Sequence, residues 1–87
     1  MIRVTLYSRP ECHLCELVER VLHHVAKTRP FELELRNIDD DPQDYEKYKN
    51  DIPVVTVNGQ EVARHKLTAA EFEAALDRAL HPPTRHL

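Results

Sequence analysis

The sequence predicts an α/β domain with the element order βαβ–α–ββα, in which helices flank a mixed four-stranded sheet. The chain has 87 residues, which is enough for one hydrophobic core. Apolar residues recur at every second position in some segments and at steps of three and four in others, which separates strands from helices. Asn58-Gly59 lies between two strand-like segments, and this dipeptide is a strong hairpin signal. The βαβ unit therefore supplies two parallel strands, and the hairpin supplies two antiparallel strands.

The first half of the chain predicts the βαβ unit. Residues 2–7 alternate between apolar and polar side chains and form the first strand. A helix follows over 13–27, and Pro30 prevents its continuation. The apolar residues that helical spacing places on one buried face of this helix are Leu14, Leu17, Val18, Val21, Leu22 and Val25. Residues 31–36 alternate again and form the second strand.

The second half predicts a short helix, a hairpin and a final helix. Asp41-Pro42 is typical of a helix start, with Asp as the cap and Pro at the first helical position, and this helix ends near Asn50. Residues 54–57 are rich in valine and form a strand, whose return partner is 60–65. Thr68-Ala69-Ala70-Glu71 fits a capping box. The apolar stripe of the last helix consists of Phe72, Ala75, Leu76 and Ala79.

Composition and charge exclude several classes of protein. The formal net charge is −3, which does not suit a nucleic-acid-binding surface. No apolar run approaches the ~18 residues of a membrane span, and the alternating N-terminus lacks the apolar segment of a signal peptide. We therefore expect a cytoplasmic protein without nucleic-acid or membrane partners. Its single domain spans residues 1–81, and Pro82-Pro83 ends the last helix and leaves 82–87 as a short tail.

Cys12 and Cys15 lie where the first strand passes into the first helix. A helix N-terminus has unpaired N–H groups and about half a positive charge, which lowers the pKa of a cysteine and favours the reactive thiolate. We therefore predict that Cys12 is the attacking thiol. Cys15 lies one turn further along and borders the apolar stripe, so it should be more buried and resolve a mixed disulfide. Arg9 and His13 are candidates for tuning this redox pair by stabilising the thiolate.

The same cysteine spacing also occurs in zinc sites and between two inert, buried thiols. Inert thiols are less common where a strand passes into the helix of a βαβ unit. A zinc site needs about four ligands, and only Cys12, Cys15 and His13 are local. His23 lies eight residues beyond Cys15, about 12 Å along the helix axis at ~1.5 Å per residue. The acidic run 39–41 is more typical of a solvated helix cap than of a cation site. We therefore predict no metal ligands and no resident cofactor.

The third strand opens with Ile52-Pro53, and the residues alone leave this peptide bond open between an ordinary trans strand-start proline and a cis proline. The segments Tyr7-Ser8-Arg9-Pro10-Glu11-Cys12-His13-Leu14-Cys15, Ile52-Pro53-Val54-Val55 and Val57-Asn58-Gly59 together resemble the glutaredoxin-like family. The likeness is greatest to small bacterial members with one domain, and it covers the chain to about residue 80.

The resemblance implies a thioredoxin-like fold with Cys12 as the nucleophile and Cys15 as the resolving thiol. It also implies that Pro53 is cis and adjacent to the cysteines. The backbone of Ile52 is then expected to pair with the extended substrate or with glutathione. We therefore expect a glutaredoxin- or thioredoxin-like disulfide oxidoreductase that acts in cell redox homeostasis.

Its expected substrates are disulfides of proteins or small molecules, a reductase or glutathione recycles it, and we expect a monomer. Two departures from glutathione-using members argue against glutathione. His13-Leu14 replaces Pro-Tyr or Pro-Phe between the cysteines, and residues 62–68 lack the Gly-Gly of those members. Arg64 and Lys66 are the candidates that remain for a carboxylate ligand. The alternative function is a binding module of the same fold without redox turnover, which docks a partner or holds a metal or iron–sulfur cluster between subunits.

Overall fold

The computed structural model describes residues 1–81, and the predicted Pro82-Pro83 helix end and tail lie outside the described residues. The elements are β1 (Arg3–Ser8), α1 (His13–Ala26), β2 (Glu32–Asn37), a 3₁₀-helix (Ile38–Asp40), α2 (Pro42–Tyr48), β3 (Val54–Val57), β4 (Gln60–Arg64) and α3 (Ala69–Leu80). Apart from the 3₁₀-helix, this is the predicted order βαβ–α–ββα. None of the helices within the described residues is both long and apolar enough to cross a membrane.

The four strands form one mixed sheet in the order β2-β1-β3-β4. β1 is parallel to β2 and antiparallel to β3, and β3 is antiparallel to β4. Asn58 and Gly59 join β3 to β4 with φ angles of 51° and 85°, as a two-residue hairpin of type I′ requires. β1 and β3 are central and covered on both faces, which explains why Thr5 and Thr56 are buried along with their apolar neighbours.

The main core lies between the sheet and the helices α1 and α3. Its α1 members are Val18, Leu22 and Val25, and its α3 members are Phe72, Ala75 and Leu76. The prediction that Leu14 and Leu17 share the buried face of α1 is wrong, because these side chains are 47% and 41% exposed. Cys15 is on the buried face instead, only 4% exposed. Leu14 and Leu17 belong to a neighbouring stripe that is rotated by about 100° around the helix.

A smaller core covers the other face of the sheet. It consists of Ile38, Tyr48 and Val54, with Tyr7, Tyr45 and Ile52 packed against it. The ring centroids of Tyr7 and Tyr48 are 4.4 Å apart. Arg36 of β2 pairs with Asp44 of α2 at 2.9 Å and so holds this helix against the sheet. Burial, together with nearby Tyr48 and Asp44, raises the pKa of Tyr7 and keeps its hydroxyl neutral.

Asp41, the last residue of the acidic run, caps α2 as predicted, whereas Asp39 and Asp40 lie in the 3₁₀-helix and not in a loop. The carboxylate of Asp41 accepts a hydrogen bond from the N–H of Gln43 at 2.8 Å, and Pro42 is the first helical residue. The 3₁₀-helix before it was not predicted. It begins at Asn37, whose side-chain oxygen accepts a hydrogen bond from the N–H of Asp39 at 2.9 Å.

The connection between β4 and α3 has a β-bulge on its β4 side and a capping box at the start of α3. Val55 pairs with Ala63 whereas Thr56 pairs with Glu61, so Val62 is the extra residue. The capping box is confirmed, because the N–H of Thr68 donates to the Glu71 carboxylate at 2.9 Å and the N–H of Glu71 donates to the Thr68 hydroxyl at 3.1 Å. The hydrogen bonds of this box hold the pKa of Glu71 below its ordinary value. α3 therefore starts at a fixed point beside the end of β4.

Two leucine substitutions test the assigned core. Leu22 is 0% exposed and Leu35, on the edge strand β2, is 50% exposed. We expect Leu22→Ala to lower the free energy of unfolding by about 2–5 kcal/mol, because it leaves a cavity. We expect Leu35→Ala to lower it by less than about 1 kcal/mol. Urea unfolding followed by circular dichroism measures both values, and equal losses would contradict the core described above.

Candidate active site

The connection between β1 and α1 turns sharply at Pro10 and Glu11. Glu11 has a φ of 61°, a left-handed conformation that is uncommon for residues other than glycine. Cys12 follows in an extended conformation and is the N-cap of α1. This local geometry places the sulfur of Cys12 at the positive end of the helix, as the sequence predicts.

Cys12 and Cys15 form a disulfide in this structure, with their Cα atoms 5.2 Å apart. The N–H of Cys15 donates a hydrogen bond to Sγ of Cys12 at 3.2 Å. The disulfide sulfur stands here in the place of the thiolate of the reduced protein, which would accept the same hydrogen bond more strongly because it is charged. Cys12 is half-buried whereas Cys15 is 4% exposed. The predicted difference in burial between the two thiols is therefore confirmed.

The two residues predicted to tune the pair differ in their surroundings. His13 is the first residue of α1 and is exposed. The guanidinium of Arg9 pairs with the carboxylate of Asp39 at 3.1 Å and lies 5.7 Å from the centroid of the Tyr45 ring. Within residues 1–81, the hydrogen bonds of Arg9 go to Asp39 and not to a cysteine. The tuning role of both residues stays a prediction.

Pro53 lies at the same end of the sheet as the cysteines. Val54 is opposite Tyr7, so Pro53 adjoins the end of β1 that leads to Cys12. The Ile52–Pro53 peptide bond is cis, in agreement with the resemblance, and Pro53 is buried. Its carbonyl accepts a hydrogen bond from the N–H of His65 at 2.8 Å.

The backbone of Ile52 is only partly available for pairing with a substrate. Its N–H donates to the carbonyl of Tyr48 at 3.2 Å, just after the end of α2. In residues 1–81 its carbonyl has no hydrogen-bond partner. The predicted contact of Ile52 with an extended substrate therefore falls on this carbonyl, and it stays a prediction.

The two cationic candidates for a carboxylate ligand differ in their surroundings. Arg64 pairs with Asp51 at 3.2 Å and also with Glu61, which neutralise most of its charge. Lys66 forms no ion pair within the described part of the chain. Of the two, Lys66 is therefore the cation without a direct ion pair, and its charge acts on the Glu71 carboxylate only at longer range.

The sequence analysis missed a groove lined by Leu14, Leu17 and Val21 of α1 and by Leu67 of the loop before α3. The signal was present in the sequence, because α1 carries more apolar residues than one face packed on a sheet requires. Leu14 also lies between the two cysteines in the sequence, so one end of the groove is at the first turn of α1.

The arrangement of metal-ligating side chains bears on the chemistry of the site. Among residues 1–81, no three histidine, cysteine or acidic side chains are grouped so that they could hold one metal ion. One copy of this part of the chain therefore offers the cysteine pair but not a complete set of metal ligands.

A mixed four-stranded sheet with a cysteine pair at the start of its first helix and a cis proline at the same end defines a thioredoxin-like protein. The match to a protein family is more specific than this fold class. The chain belongs to the glutaredoxin-like domain family (Glrx-like, DUF836), whose model matches residues 3–77.

Individual relatives agree with this assignment. The chain is similar to the glutaredoxin-like protein YDR286C homolog of Dictyostelium discoideum, with 26% identity over 72 residues that cover 76% of this chain and 67% of the relative. Protein Ne2328 from Nitrosomonas europaea, solved by NMR, has a TM-score of 0.74 and 29% identity over 85% of this chain and 89% of its own.

Two further solved structures support the fold. An X-ray structure of a structural genomics target protein from X. campestris has a TM-score of 0.71 and 32% identity, with coverage of 85% of this chain and 95% of that chain. A mutant thioredoxin from Halobacterium salinarum has a TM-score of 0.63 at 14% identity over 97% of this chain and 78% of its own, which shows the fold alone. The predicted thioredoxin-like fold is confirmed.

The position of Cys12 at the helix N-terminus predicts its reactivity. In the reduced protein we expect the pKa of Cys12 to lie below the ~8.5 of a free cysteine. Cys15, which is surrounded by apolar side chains, should have the higher pKa. The pH dependence of alkylation, followed for each cysteine by peptide mass spectrometry, measures both values. A value for Cys12 at or above that of a free cysteine would contradict activation by the helix.

Proposed function

We propose that this protein is a thiol–disulfide oxidoreductase that exchanges disulfides with protein or small-molecule substrates. The observation that carries the proposal is the unequal cysteine pair at the start of α1. Cys12 is half-buried and its sulfur caps the helix, whereas Cys15 is 4% exposed and is disulfide-bonded to it. Membership of a glutaredoxin-like family and a thioredoxin-like fold support the same chemistry.

The proposed reaction has two exchange steps. The thiolate of Cys12 attacks one sulfur of the substrate disulfide, so that a mixed disulfide forms and the other substrate sulfur leaves as a thiolate and takes up a proton. The thiolate of Cys15 then attacks Sγ of Cys12, which releases the second substrate sulfur and closes the Cys12–Cys15 disulfide. The substrate gains two electrons and two protons, and the protein dithiol loses them. A dithiol reductase or glutathione returns the protein to its reduced form.

The remaining parts of the proposal concern the substrate contacts and the setting. The carbonyl of Ile52, beside the buried Pro53, is the proposed backbone contact for the extended substrate, and His13 and Arg9 are proposed to favour the thiolate of Cys12. We propose that the protein acts in the cytoplasm and in cell redox homeostasis. Disulfides of cytoplasmic proteins are mostly transient and catalytic, which is the role proposed for the Cys12–Cys15 pair.

A binding module that holds a metal or cluster is the less well supported function. One copy brings only the cysteine pair within reach of a common ion in residues 1–81, so a cluster would need ligands from a second copy or from another molecule. Metal analysis and absorbance of the anaerobically purified protein distinguish the two functions. A stoichiometric metal bound through Cys12 would favour the binding module over exchange.

The division of roles between the two cysteines predicts a trapped intermediate. We expect Cys15→Ser to accumulate a mixed disulfide through Cys12 when it meets a substrate disulfide, because the resolving thiol is missing. Cys12→Ser is the matched control and should accumulate none under the same conditions. Non-reducing mass spectrometry after an acid quench detects the adduct. If neither variant forms an adduct, or if only Cys12→Ser does, the proposed mechanism is wrong.

A further inference from the structure

An apolar groove of about 370 Å³ lies between α1 and the loop that precedes α3. Leu14, Leu17 and Val21 line it from the helix, and Leu67 lines it from the loop. Leu14 and Leu17 are 47% and 41% exposed, so two large apolar side chains face water side by side. Scattered apolar residues are ordinary on a surface, but a contiguous apolar strip in a groove is typical of a binding site.

Both sides of this groove are attached to the candidate active site. On one side, Leu14 lies between Cys12 and Cys15 in the first turn of α1. On the other side, the N–H of His65 donates to the carbonyl of Pro53 at 2.8 Å. His65 has a φ of 68°, so the chain turns sharply there and brings residues 65–67 to the groove. A segment bound in the groove would therefore contact the first turn of α1, whose N-cap is Cys12.

The charges along the groove are of one sign. Arg20 and Lys66 are its charged lining residues, and within residues 1–81 no acidic side chain lines it. Neither Arg20 nor Lys66 forms an ion pair in that part of the chain. The chain as a whole has a formal net charge of −3, so this local positive charge contrasts with the rest of the molecule. Such a field attracts an anionic partner.

We propose that the groove binds an extended segment of a disulfide-bearing protein, with a large apolar side chain and acidic residues close to the reacting cysteine. This inference rests on the proposed function and names its substrate class. The apolar side chain packs between Leu17 and Leu67, and the carboxylates lie near Lys66 and Arg20. Glutathione has carboxylates but no large apolar side chain, so it would use only part of the groove.

The test compares disulfide-linked dimers of short synthetic peptides as oxidants of the reduced protein. The first peptide carries leucine and glutamates beside its cysteine. Its matched controls replace the leucine with serine or the glutamates with lysines. Hydroxyethyl disulfide and oxidised glutathione serve as small oxidants. The rate of protein oxidation is followed by acid quench and mass spectrometry, and each rate is divided by the rate of the same disulfide with dithiothreitol to remove intrinsic reactivity.

We expect the leucine–glutamate peptide to react about fivefold to tenfold faster than either control peptide, a preference that partial burial of one leucine-sized side chain and a few ion pairs supports. The advantage of glutamate over lysine should shrink as salt is added, because the charges are exposed. The rate with hydroxyethyl disulfide should be unchanged in the control variants Leu35→Ser and Lys27→Glu described next, and in each groove variant it is the reference for the peptide rates.

Two substitutions with matched controls locate the effect. Leu17→Ser should remove the preference for leucine, whereas Leu35→Ser, on the half-exposed edge strand, should not. Lys66→Glu should reverse the preference for glutamate over lysine, whereas Lys27→Glu, at the far end of α1, should leave it unchanged. Leu17 and Lys66 are both exposed, and thermal unfolding followed by circular dichroism checks that each variant is folded.

Each other outcome overturns the inference in a recognisable way. If no disulfide oxidises the protein, the proposed function fails and the inference fails with it. If hydroxyethyl disulfide reacts but the peptides are not distinguished, only the inference fails. If oxidised glutathione reacts fastest and Leu17→Ser slows it, the groove binds glutathione. If sedimentation shows a dimer that Leu17→Ser dissociates, the groove is occupied by a second copy of the chain.

Discussion

The antiparallel pairing of β1 with β3 is the contact on which the rest of the structure depends. Tyr7 lies opposite Val54, so the end of one strand and the start of the other meet at one edge of the sheet. This register brings the cysteine turn and the Ile52–Pro53 bond, which are far apart in sequence, to the same place. Both strands are covered by helices on either face, and a slip of one residue would exchange their two faces. The site and the core therefore depend on one register.

Features that depend on neighbouring residues were predictable from the sequence. The capping box at Thr68 and the Asp41 cap rest on local hydrogen bonds with known residue preferences. The Asn58-Gly59 hairpin rests on positive φ angles that these two residues tolerate. The place of Cys12 at a helix start followed from the strand and helix patterns on either side of it. The cis bond at Pro53 is different, because the residues alone left it open and only the resemblance to a family implied it. The element order followed from the spacing of apolar residues, since strands and helices have different periods.

Features that depend on distant partners were not predictable in the same way. α1 has two adjacent stripes of apolar side chains, and the sequence does not show which of them faces the sheet. The structure shows that the stripe with Cys15 is buried, whereas Leu14 and Leu17 are exposed. The pairing of Arg9 with Asp39 and the hydrogen bond from Ile52 to Tyr48 likewise join separate elements. These contacts determine which polar groups near the cysteines are already paired. They depend on the packing of separate elements, which the sequence alone does not give.

The sulfur of Cys12 is both the proposed nucleophile and the cap of α1, and this double role links folding to electron transfer. A thiolate caps the helix better than a neutral thiol or a disulfide sulfur does, because the N–H groups there favour negative charge. The reduction potential of the pair depends on the free-energy difference between the oxidised and the reduced folded protein. An interaction that stabilises the reduced protein more than the oxidised protein therefore raises this potential. Under the proposed exchange reaction, a substitution that improves or weakens this cap is therefore expected to change the stability of the reduced protein and its reduction potential together.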